Sequence, residues 1–128
     1  MRSTWPEIAA TFTGFLNSME PGPYVDAVAG IEALVHHIAA SPLSGALFGF
    51  SSMHDLCIHQ TDSHPFEGRG GPYLRVSPQQ SGLVEFRYVD THVAARQWTR
   101  IEPPERTLAR FDHFLNQLHW LVEVNTTS

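Results

Sequence analysis

Between His54 and Tyr88 the chain alternates apolar and polar residues with a period of two, which constrains the fold more than any other feature. Leu56 and Ile58 alternate with Asp55, Cys57 and His59, and Leu74 and Val76 alternate with Tyr73 and Arg75. The run Leu83-Val84-Glu85-Phe86-Arg87-Tyr88-Val89 repeats the pattern. Successive side chains of a strand point to opposite faces, so each run predicts a strand with one face on a core and the other wet. Pro78-Gln79-Gln80-Ser81-Gly82 reads as a hairpin turn between two of these runs. Gln60 to Pro72 is the longest connection, a length that in compact domains belongs to functional or mobile loops.

The flanking segments have a helical period. Thr4-Trp5-Pro6-Glu7 has the T-x-x-E spacing of a capping box, with Pro6 tolerated in the first turn. Beyond it Trp5, Ile8, Phe12, Phe15, Leu16 and Met19 fall on one side of a helix. Pro21-Gly22-Pro23 breaks the chain, and Pro23 suits the first position of a second helix. That helix runs to about Ala40, where Ser41-Pro42 stops it, and Tyr24, Val28, Ile31, Leu34, Val35 and Ile38 form its apolar face. His36 and His37 sit in its last turn, where a cation is favoured by the helix dipole. Leu43 to Ser52 is expected as a first short strand, with an irregular lead-in to Asp55 as the other reading. Arg96 to Glu102 predicts a further strand. Pro103-Pro104-Glu105 then opens a last helix whose apolar face carries Leu108, Phe111, Phe114, Leu115, Leu118, Leu121 and Val122.

These elements predict one α+β domain over residues 1–128. Two N-terminal helices precede an antiparallel sheet of three to five strands, and a C-terminal helix packs on one sheet face. A chain of 128 residues with 42% apolar side chains can bury one core without covalent staples.

Composition narrows the chemistry. A formal charge of −5 argues against a nucleic-acid surface, which needs a basic stripe. Every basic side chain other than histidine is arginine, so neither a Schiff-base lysine nor a P-loop lysine exists. The single Cys57 rules out an intrachain disulfide. The apolar runs fall short of a membrane span, and Ile8 to Leu16 reads as a folded helix rather than a leader. A cytoplasmic setting is the expectation. Protonating all eight histidines would reverse the sign of the net charge, so mild acid is expected to change it.

Four kinds of site deserve weighing. His54, Asp55, Cys57, His59 and His64, with Asp62 nearby, are ligand types that zinc prefers, and Asp55, Cys57 and His59 are expected to share one strand face. Their spacing is not that of a zinc finger or ribbon. The competing reading is a wet face on which Asp55, His59, Arg75, Glu85 and Arg87 pair across strands by charge. Nucleophilic catalysis by Cys57 or a serine lacks a G-x-S-x-G elbow or a Cys-His signature. The Glu67-Gly68-Arg69-Gly70-Gly71 stretch offers successive N–H groups to an anion, yet leads into a strand where a phosphate loop precedes a helix. Finally, Trp120 is expected opposite the apolar face of the last helix, beside Arg106, His113 and Gln117, and Trp and Arg are enriched at binding hot spots.

The residues therefore favour a small acidic, non-enzymatic protein-binding domain, chaperone-, adaptor- or inhibitor-like, partnered by another protein or by itself as a homodimer. Trp120, His113, Arg106, Phe66 and Arg69 are its expected surface. The alternative is a metal- or small-ligand-binding protein, a metal-dependent enzyme included, with zinc as the candidate cofactor, using the cluster at 54–64.

Overall fold

The computed structural model describes residues 4–60, 73–89, 95 and 97–117. Two helices, α1 (Trp5–Ser18) and α2 (Pro23–Ala39), precede five strands. These are β1 (Phe48–Ser52), β2 (Asp55–His59), β3 (Tyr73–Pro78), β4 (Val84–Val89) and β5 (Trp98–Glu102). A helix α3 (Thr107–Gln117) follows. The strands form one antiparallel meander in the order β1-β2-β3-β4-β5, each pairing with its sequence neighbour. The segment before β1 is a 3-10 turn over Pro42–Gly45, so the strand expected from Leu43 starts only at Phe48. No helix among the described residues is long and apolar enough to cross a membrane.

Local chemistry sets the helix ends. The Thr4 hydroxyl accepts the Glu7 amide and the Glu7 carboxylate accepts the Thr4 amide, so the predicted capping box forms. Those hydrogen bonds hold the Glu7 carboxyl below its ordinary range. Pro23 opens α2, where its missing N–H costs nothing because the first-turn amides have no partner within the helix.

Alternation sorts the sheet into two faces. Leu56, Ile58, Leu74, Val76, Val84 and Phe86 point to the helices and join Ile8, Phe12, Ile31, Leu34, Phe111 and Phe114 in one core. The space between sheet and helices is thus filled by side chains, each worth about 1.5–3 kcal/mol on burial. α1 lies over β1, and α2 runs centrally over β3 and β4 between α1 and α3. A Thr13 hydroxyl donates to Glu32 across the first helix pair at 2.7 Å, and His37 meets Asp112 across the second at 3.8 Å.

Two positions require glycine. A Cβ on Gly49 would lie 2.5 Å from the Trp5 ring, so only glycine lets the indole rest on β1. There the indole N–H donates to the Leu47 carbonyl at 3.0 Å. Gly82 closes the β3–β4 turn at φ 95°, hard against Pro23 at the start of α2. The β1–β2 turn makes the opposite choice. Its tip residue Met53 holds φ 56°, a left-handed conformation that an L side chain tolerates poorly.

Candidate functional site

The ligand-type residues of β2 separate as soon as the strand is built. Asp55, Cys57 and His59 do share the face turned away from the helices, as their spacing predicts. Each then meets a different neighbour. Asp55 accepts a hydrogen bond from Arg75 Nε at 2.7 Å, an ion pair between half-buried side chains. Cys57 is fully buried, and burial pushes its thiol from 9.0 up to about 11. Arg75 and Arg87 pull the other way without overcoming that penalty. A thiol with that pKa is neutral near pH 7 and is a poor nucleophile or metal ligand. His59 is buried too, its ring stacked on Tyr73 at 4.9 Å and 5.7 Å from Phe50.

His54 leaves this group altogether. It sits in the β1–β2 turn, where a 2.8 Å hydrogen bond joins its Nδ1 to the Tyr24 hydroxyl of α2. Phe15 of α1 approaches the same ring edge-on at 4.7 Å. Burial, and then the Asp55 charge, raise the Tyr24 pKa. Among the described residues, no three His, Cys, Asp or Glu side chains gather in a way that could hold a metal ion. His64 and Asp62 lie outside the described residues. So do Glu67, Arg69 and the glycines of the anion-loop candidate.

The wet-face reading holds in part. Asp55 and Arg75 pair across β2 and β3, whereas Glu85 and Arg87 are neighbours along β4, 4.0 Å apart. Arg75 and Arg87 stand directly opposite in the register, each with its own carboxylate.

The second candidate surface is on α3. Arg106, Ala109, Arg110 and His113 line a depression of about 300 Å³ on the side away from the buried Phe111 and Phe114. Two residues singled out from the sequence, Arg106 and His113, are thereby brought together. Phe66, Arg69 and Trp120 lie outside the described residues. Glu102, at the end of β5 and nearly buried, is contacted closely by Arg110 and lies 3.9 Å from Arg106. One carboxylate thus faces two guanidinium groups, and the depression keeps an excess of positive charge. Arg110 also covers the Phe114 ring at 5.5 Å, and exposed Arg100 lies over Trp98 at 5.6 Å. Sequence reasoning missed Arg110 and Glu102. The i, i+4 spacing of Glu102, Arg106 and Arg110 was visible, but Glu102 belongs to a strand and reaches α3 only around the Pro103-Pro104 corner.

A third feature had no sequence signal. The start of α2, the β3–β4 turn and the 3-10 turn Pro104–Arg106 border a shallow, open groove of about 550 Å³. Pro23, Leu83 and Pro104 give it an apolar lining, to which Asp26 and Glu105 add two carboxylates. Neither carboxylate has an ion-pair partner among the described residues.

A scan against protein-family models and searches of curated proteins and of solved structures found no match to this chain.

Proposed function

We propose that this chain is a non-enzymatic protein-binding domain of chaperone, adaptor or inhibitor type, acting in the cytoplasm as a homodimer. It docks through the outward side of α3. The observation that carries this reading is the depression in which Arg106, Arg110 and His113 surround Ala109, two guanidinium groups sharing one carboxylate. Arginine at the entry to α3 and along it presents a planar, permanently charged donor array with an apolar stem, a side-chain type suited to partner contact. The Cys57 thiol is buried and neutral near pH 7, and Asp55 is committed to Arg75.

The test fills the depression. Ala109 is exposed at its centre, so Ala109→Trp blocks it without entering the core. Association, with itself in sedimentation velocity or with a purified partner in titration calorimetry, should weaken tenfold or more while far-UV circular dichroism stays unchanged. Trp120→Ala should act in the same direction. Unchanged association in both variants would overturn the reading.

A further inference from the structure

We infer that the acidic groove between α2 and the β3–β4 turn is the receptor for Arg106 of a second copy of this chain, in a reciprocal two-fold dimer. The inference rests on the protein-binding reading above and names the partner and the contact.

The charges make the case. Asp26 lies in the first turn of α2, and Glu105 lies in the turn that enters α3. Each helix start contributes roughly half a positive charge, so two carboxylates leave the groove roughly one charge negative. The depression on α3 has the opposite balance. Arg110 makes the close contact with Glu102, while Arg106 is 65% exposed and 3.9 Å away, at the outer limit of an ion pair. Its guanidinium is therefore free to find a second carboxylate with little loss.

The shapes agree with the charges. An arginine joins an aliphatic stem to a charged head, and the groove's lining joins apolar residues to two carboxylates. Leu83, in that lining, is a large apolar side chain left exposed on the surface. Covering it with the Arg106 stem removes apolar area from water as the ion pairs form.

The chain order makes the contact reciprocal. Glu105 lines the groove and Arg106 lines the depression, so the two surfaces meet at one peptide bond. A two-fold axis passing beside that bond sets each copy's groove against the other's arginine, as an isologous interface requires. Two such contacts form at once.

Charge reversal tests this directly. Asp26→Arg gives a copy whose groove and depression are both positive, and Arg106→Asp gives a copy in which both are negative. Each variant alone should be monomeric in sedimentation velocity at concentrations where the wild-type chain dimerises, with unchanged circular dichroism. An equimolar mixture should recover a one-to-one dimer, because every contact between the two variants is again between opposite charges. High salt should weaken both the wild-type and the mixed dimer. A wild-type chain that is monomeric throughout the range overturns the inference. So does a mixture that stays monomeric, or an Asp26→Arg variant that dimerises normally. If Asp26→Arg dimerises normally while Ala109→Trp does not, the groove is wrong and the α3 docking surface stands.

Discussion

Phe86 and Arg87 are neighbours on β4, yet one is sealed between the sheet and Phe114 of α3 while the other is half exposed on the far side. The helix-covered face is uniform: Leu56, Ile58, Leu74, Val76, Val84 and Phe86 are all buried. The opposite face is graded. Along one row across the strands Cys57 is fully buried, the Arg75 side chain is 20% exposed, the Arg87 side chain 49%, and Thr99 lies in the open. Alternation decides to which side a residue points. It does not decide how deep that side lies, which depends on what else folds over it. The helix face holds the fold together, whereas the far face becomes polar and accessible towards β5.

The largest expected effect contrasts those two neighbours. Phe86→Ala should cost about 3–5 kcal/mol in urea unfolding, because it removes an aromatic ring from a filled core. Arg87→Ala should cost less than about 0.5 kcal/mol, as a substitution at a half-exposed side chain. Similar losses at both positions would mean that the far face is as structural as the core.

Cys57 sharpens the comparison through pH. Its thiol is neutral in the folded chain up to about 11, whereas the unfolded thiol ionises near its ordinary value of 9.0. The unfolded state therefore releases its proton first. Stability associated with this group is full below pH 9 and is lost as the pH rises from 9 towards 11, by about 2–3 kcal/mol. Cys57→Ala should remove that part of the alkaline slope, measured by thermal unfolding against pH. An identical slope in the variant would show that the buried end of the far face is wetter than the geometry implies.

A smaller effect than that of Phe86 or Cys57 belongs to the Asp55–Arg75 pair. Both side chains keep some contact with solvent, so the ion pair is screened, and Asp55→Asn should cost about 1 kcal/mol or less. A double-mutant cycle with Arg75→Gln measures the coupling alone. A much larger coupling would move this pair from the solvated part of the face to its buried part.

The same contrast explains how much could be read from the residues. The helices were legible because their stop and start signals are local: the Thr4–Glu7 box, Pro23 at a first position, and Pro103-Pro104 before α3. The strands were legible from alternation alone, and so was the shared face of Asp55, Cys57 and His59. The burial of His59 was not, because period two carries no information about what covers the second face, whereas a lone cysteine is ordinarily a small buried hydrophobe, as Cys57 is. His54 was read beside Asp55 in the chain, but a tight turn sends it to Tyr24 and Phe15 on the helices. The acidic groove was out of reach because its lining comes from Pro23, Leu83 and Pro104, three segments that only the finished fold brings together. That Arg106 and His113 share one side was legible because helical spacing places residues seven apart on one side.

The meander also has a temporal meaning. Because each strand pairs with the next, every hairpin can close as soon as its second strand leaves the ribosome. α1 and α2 can likewise close on each other, across the Thr13–Glu32 hydrogen bond, but their sheet-facing sides wait longer. They emerge first, and the apolar residues of α2, Ile31 and Leu34 among them, have no sheet to rest on until β3 and β4 have been made. During that interval the nascent chain exposes apolar surface, at the stage when a chaperone or a neighbouring nascent chain can seize it. Slow translation through residues 40–72 would lengthen this exposure, so yield of folded protein should depend on how quickly that segment is read.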